Sequence, residues 1–353
     1  MNDNEINDVR KASEFRSITF SGYQKVKVKK TLIECLSSSK IEPACYWFAE
    51  LICAGHFVES WELIILFVSK YLHLGNPLLP TYISRRMDNF KDIISNGYIG
   101  NELRLRNNQK VRTLFAEIAA TLCLSRRRHV FEAVKIKKKD EFNLSHMTSK
   151  LKAPNISFIE HIFTEEDPKE LFIAANEFAY HLSDESKNCY TACYWLEWMI
   201  EFEMICKKNK DVIVSQRREW VPVNEKYKKD PIWLVWDIIL RQSEKKNCKI
   251  TKKVLESLLG MFCLRFTVGV KKRRRFLMYY AIAMLTEIVD KKIPIWSDKK
   301  QIKQITSKIN IIYKQIKKNE KAPATDYLFA GTEKSNLDKT IERLEKMNQL
   351  MGI

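Results

Sequence analysis

Glycine and proline are both scarce in this chain, nine of each in 353 residues. β-Sandwiches and dinucleotide-binding α/β folds need glycine at their tight turns, so the shortage disfavours them and favours long helices. No Gly-x-x-x-x-Gly-Lys-[Ser/Thr] occurs, and the glycines are too scattered for a loop that cradles phosphate. Long apolar runs are missing as well. Runs such as LIILFV from Leu63 to Val68 are far too short to span a bilayer. The N-terminal MNDNEINDVRKASEFRS lacks the apolar stretch of a secretion signal. The nine cysteines are an odd number and lie mostly inside apolar helical runs, which speaks against a disulfide framework and for a reducing compartment. The expectation is an intracellular protein of the cytoplasm or nucleus, not secreted, with no membrane partner.

What is present is apolar mass and positive charge. Hydrophobic residues make up 45% and aromatic residues 11% of the chain, enough for packed interiors in two domains. Lys and Arg total 61 against 43 Asp and Glu, a net charge of +18. Such a field attracts polyanions, nucleic acid first among them, while acidic proteins serve the same charge.

The four-residue word Ala-Cys-Tyr-Trp occurs at Ala44–Trp47 and again at Ala192–Trp195, 148 positions later. Each copy opens an amphipathic helix; the first carries Ala44, Trp47, Phe48, Leu51 and Ile52 on one face. Ser60 is expected to cap a following helix, WELIILFVSKYLHL, and WLVWDIILRQ parallels it in the second half. TLFAEIAATLCLS, with Leu114, Phe115, Ile118, Ala119 and Leu122 inward, parallels RRFLMYYAIAMLTEIV, where Phe276, Leu277, Tyr280, Ala281 and Met284 stand at a constant offset of 162. Asp167-Pro168-Lys169-Glu170 is expected to start a helix, with its carboxylates at the N-terminus.

The predicted fold is therefore all-α: two tandem related helical bundles with a helical C-terminal extension. Residues 1–24 are expected to be a flexible arm, 25–136 the first unit, 137–166 a linker, 167–295 the second unit and 296–353 the extension. Trp47, Trp61, Trp195 and Trp236 are expected to be buried at equivalent positions.

The stretch LIECLSSSKIEPACYWFAELICAGHFVESWELIILFVSKYLHLGNPLLP resembles the helical C-terminal region of the MgsA/RarA (Werner-helicase-interacting) AAA+ ATPases, relatives of clamp loaders. Ser37–Glu42, Ala44, Tyr46, Trp47, Ala54 and Gly55 carry the likeness, and LFAEIAATLCLSRRRHVFEAV is similar to a second helix of that family. The likeness spans roughly residues 30–136, with a weaker echo in 176–290. The Gly75-Asn76-Pro77 end is two residues tighter than the family spacing, and the ATPase part is lacking. The resemblance implies an oligomeric collar that binds no nucleotide itself. The Lys/Ile/Asn-rich, glycine-poor texture also resembles orphan proteins of large cytoplasmic DNA viruses.

Nothing local points to catalysis or to a cofactor. Cys189, Cys193 and Cys206 with His181 superficially offer four metal ligands, but Cys193 lies within a helix rather than on a turn knuckle, so a buried, inert set is expected. No activated Cys or Ser stands beside a His. Basic clusters are the stronger signal: Lys110 and Arg112; Arg126, Arg127 and Arg128; Lys226, Lys228 and Lys229; Lys271, Lys272, Arg273, Arg274 and Arg275. Lys110/Arg112 and Lys271–Arg275 precede the last shared helix of each half and are expected to form a stripe along a phosphate backbone. Trp220, Tyr227 and Trp233 are expected to stack on unpaired bases. In the extension, Tyr327, Leu328, Phe329, Leu337, Ile341 and Leu344 are expected to bind a partner or a second copy. The reading is a non-enzymatic nucleic-acid-associated protein, a replication or genome-packaging accessory; the alternative is a virion or complex assembly protein that meets acidic protein partners.

Overall fold

A computed structural model describes residues 5–137, 142, 144–296 and 298–321. The expected partner-binding residues Tyr327 to Leu344 lie outside the described residues. Among those described, the chain is all-α, without a strand. The first half contains α1 (Lys25–Ser37), α2 (Ile41–Cys53), α3 (Phe57–Leu66), α4 (Leu79–Ser95) and α5 (Gln109–Leu124). After the short α6 (Leu144–Ser149) come α7 (Phe172–Leu182), α8 (Cys189–Lys208), α9 (Ile232–Lys245), α10 (Lys249–Cys263), α11 (Val270–Arg273) and α12 (Arg275–Thr286). The last described helix is α13 (Lys299–Lys317).

Apolar periodicity places the inner faces well. Leu114, Phe115, Ile118, Ala119 and Leu122 of α5 are buried, as are Phe276, Leu277, Tyr280, Ala281 and Met284 of α12. Asn108 caps α5 through its side-chain oxygen, which accepts from the Lys110 and Val111 amides. Ser60, in contrast, is no cap. It lies inside α3, which starts at Phe57, and its hydroxyl donates to the His56 carbonyl 2.9 Å away. Asp167 does not serve a helix start either: its carboxylate turns inward to Arg218.

Three organisational expectations need correction. Residues 6–24 are not a loose arm, since Ile6, Phe15 and Phe20 are buried in the core. The Ser21 amide and hydroxyl bind the buried Glu50 carboxylate of α2. Nor is α13 an appendix. It packs along α5 and α2 through Ile309, Tyr313 and Ile316, and the chain beyond it returns to the N-terminal segment, where the Val9 amide donates to the Lys321 carbonyl. Finally, the two halves share one contiguous core. α4, which follows Gly75-Asn76-Pro77, lies against α10 of the other half, and the Tyr280 hydroxyl donates to the Asn76 carbonyl at 3.0 Å.

The tryptophans divide accordingly. Trp61, Trp195 and Trp236 are buried. Trp47 is only half-buried, edge-on to Tyr23 and Tyr46. Trp195 is fully enclosed, with Tyr194 and Trp198 beside it. The repeated word thus serves two different surroundings.

Candidate nucleic-acid interface

A phosphate-binding surface needs cations that are exposed and not already answered by acidic groups. Most of the predicted stripe fails this test. The Lys271 ammonium is 3% exposed and lies 2.5 Å from Glu203 and 2.8 Å from Asp230. Arg274, equally buried, donates to the Met261, Phe262 and Leu264 carbonyls and pairs with Glu62 of α3 at 2.6 Å. Lys272 pairs with Glu201, and Arg275 lies 3.1 Å from Glu197. In a helical interior each such charge needs a partner and hydrogen bonds to be tolerated at all.

The first-half clusters are similarly divided. Arg112 is 3% exposed. It donates to the Arg106 carbonyl, Asn107 and Asn310, and its guanidinium lies 4.1 Å over the Tyr313 ring. Burial pushes its pKa below the ordinary value. Arg127 braces Leu36, Ser39 and Cys123, Arg128 pairs with Glu287, and Lys228 pairs with Glu219 and Glu225. Lys110, Arg126, Lys226, Lys229 and Arg273 are exposed and carry no ion pair among the described residues. They come from four separate stretches of the chain.

The expected stacking trio also fails as a group. Trp233 is buried and donates its indole N–H to the Tyr227 carbonyl at 2.6 Å. Tyr227 packs edge-on to Phe266, which leaves Trp220, 43% exposed, as the one ring of the three with a substantial open face.

A further group of unpaired basic residues is on α13. Between Lys299 and Lys318 the sequence has seven lysines and no acidic residue. Asp298 starts the helix, its Oδ1 accepting from the Lys300 and Gln301 amides at 2.9 Å. Ile302, Ile309, Tyr313 and Ile316 fix the buried face. At about 100° per residue, Lys299, Lys300, Lys303, Lys314, Lys317 and Lys318 then share an arc of about 100° beside that face. Lys317 is half-buried and the other five are exposed; none has an ion pair among the described residues. Over a helix of about 27 Å the arc forms two basic groups, one at each end. The N-terminal group adds lysine charge to the positive end of the helix dipole, which raises the attraction for an anion there.

The sequence held this signal in the absence of Asp and Glu from residues 299–318. An amphipathic lysine-rich helix at the chain end reads as solvated surface until its apolar face is seen to be clamped, which fixes the direction of the lysines.

Among the described residues no three His, Cys, Asp or Glu side chains cluster as ligands. His181 contacts Ser186 and Glu177 instead, and Cys193 is fully buried, its thiol pushed well above the ordinary value first by burial and then by Cys189. No described helix is long and apolar enough to cross a membrane. Comparison with protein-family models, curated proteins and solved structures finds no match.

Proposed function

We propose that this protein binds nucleic acid through its phosphates, without catalytic chemistry, and that the lysine arc of α13 is the principal contact. The observation that carries this reading is the arc itself: six lysines directed by a clamped helix, none of them held in an ion pair among the described residues. Phosphate contacts of this kind position a protein on nucleic acid without reading its sequence. A scaffold role in replication or genome packaging fits such a binder and fits the likeness of residues 30–136 to an oligomeric collar.

Fluorescence-anisotropy titrations against single- and double-stranded DNA and RNA at two salt concentrations test the reading. Affinity should fall steeply with salt, because each phosphate contact releases counterions. The triple substitution K303E/K314E/K317E should weaken binding to all sequences alike and reduce the slope of log K against log salt by about 2–3 on duplex DNA. Binding that is absent at low salt, or indifferent to salt, contradicts the proposal. If the same triple substitution instead releases acidic proteins from a nuclease-treated pull-down and leaves nucleic-acid binding unchanged, the lysine arc is an assembly surface.

A further inference from the structure

The halves leave a cleft of about 840 Å³ between them, on elements other than α13. Its walls come from α3, α4, the loop before α5, and the α10–α11 connection. The floor is apolar, built from Phe57, Trp61, Leu63, Leu66, Met87 and Phe90. None of the lining residues has a buried polar side-chain atom without a partner. A sugar or a nucleobase needs such groups to be recognised inside a pocket; this floor provides hydrocarbon contact instead.

The rim is where charge appears. Glu59 and Glu62 face the cleft, but both are answered by the protein: Glu59 by Lys25 at 2.6 Å and Glu62 by Arg274 at 2.6 Å. Glu102 is exposed, and one of its oxygens accepts from the Gly100 amide at 3.3 Å. Lys91 pairs with Asp88. Against these, Arg265, Arg273 and Lys29 line the cleft with no ion pair among the described residues. Arg265 holds a left-handed backbone, φ +44°, a conformation that costs energy in a non-glycine residue and that here sets an arginine at the mouth.

From this pairing of an apolar floor with unanswered guanidinium groups, we infer that the cleft binds a small amphipathic anion, a hydrocarbon body carrying one carboxylate, with the chain on the floor and the carboxylate at Arg265 and Arg273. The volume lies in the range of small-molecule sites, and planar guanidinium groups suit a carboxylate in two-point contact. The site is independent of α13, so its test and that of nucleic-acid binding fail separately.

Calorimetric titration of the full chain with decanoate and decylammonium below their micellar concentrations, and with decanol below its solubility limit, distinguishes the contributions. Decanoate should bind saturably at one site, at least tenfold more tightly than decylammonium and more tightly than decanol. R265Q/R273Q should weaken decanoate at least tenfold while leaving decanol unchanged. Val58→Trp, at a wall position 44% exposed, should fill the cleft and abolish binding of both, with the thermal midpoint reporting that the fold is kept. Equal affinity for decanoate and decylammonium, or wild-type decanoate binding by R265Q/R273Q, would overturn the inference. So would displacement of decanoate by an acidic peptide that binds more tightly, which would make the cleft a protein-docking site.

Discussion

Asp167 and Arg218 form the most enclosed bidentate pair of the second half. The guanidinium reaches the two carboxylate oxygens at 2.9 and 3.0 Å, and the side chains are 0% and 3% exposed. Burial acts to raise the Asp167 carboxyl, but the Arg218 hydrogen bonds and charge outweigh it and hold the group below its ordinary 3.8. A carboxyl lowered on folding contributes stability that is present above its unfolded value and lost as pH falls through its folded value. Arg218→Leu should therefore cost about 3–5 kcal/mol at neutral pH, by urea denaturation, since it strands a buried carboxylate. The loss should shrink as the pH falls, starting above 3.8, because burial without Arg218 raises the carboxyl of the stranded acid, and continuing until the lowered wild-type carboxyl is protonated too. A second residue-scale expectation concerns Cys248, at the N-cap of α10. Hydrogen bonds from the Thr251 hydroxyl and amide, and the Lys291 ammonium 3.0 Å from the sulfur, pull this thiol down to about 6. The Cys45, Cys123 and Cys263 thiols are pushed up to about 12 by burial. Iodoacetamide at pH 7 should label Cys248 first, with a rate midpoint near pH 6 that Lys291→Met moves upward. At this scale the sequence was legible for the apolar residues and misleading for the basic ones. KKRRR at 271–275 looks like a surface cluster because its partners Glu62, Glu197, Glu201, Glu203 and Asp230 are about 40 to more than 200 positions away in the chain.

Helices were readable from their apolar spacing, and their ends much less so. α3 illustrates why. It runs into a wider π-helical turn at Phe67–Leu72, then breaks at His73, φ +42°. The Lys70 and Leu72 carbonyls accept from the Val130 and Arg128 amides of the segment after α5, so a distant strand-like stretch decides how this helix ends. Local spacing has no access to that. The same contact makes Gly75 obligatory: a Cβ there would lie 2.4 Å from the Arg126 carbonyl oxygen. Gly75→Ala should destabilise the protein by about 1–3 kcal/mol through backbone overpacking, read as a lowered thermal midpoint. Gly22→Ala has open space but a φ of +84°, so it should cost only the smaller backbone strain of about 1 kcal/mol. α4 and α10 escaped individual notice in the sequence because neither repeats the Trp-containing word, yet they form the main seam between the halves.

Among the described residues, one contiguous core runs through both of the expected bundles. Arg274 joins α12 to α3 through Glu62, and Asn76 meets both Ser125 and the Ile295 carbonyl. Denaturant unfolding should accordingly give one transition, coincident for fluorescence and circular dichroism, rather than two. The first and last described segments are clasped as well: Arg10 donates to the Asn319 carbonyl, and the Lys321 amide donates to Asp8 at 2.9 Å. Deleting residues 1–24 should lower the thermal midpoint by more than the few degrees expected from trimming a loose arm. That all-α architecture was evident from glycine scarcity and periodicity, whereas the clasp was not, since MNDNEINDVRKASEFRS is polar overall and only its sparse Ile6, Phe15 and Phe20 enter the core.

The docking of α13 on α2 and α5 also imposes an order on synthesis. The ribosome completes the first-half helices well before it delivers residues 299–317, and at about 5–20 residues per second that interval lasts on the order of ten seconds or more. During it, the groove that will hold Ile309, Tyr313 and Ile316 is open to water, and Arg112 awaits Asn310 and Tyr313. A nascent chain with an uncovered apolar groove is a substrate for chaperones and a risk for aggregation. Helix α13, made long after α2 and α5, is the one that closes the groove they form.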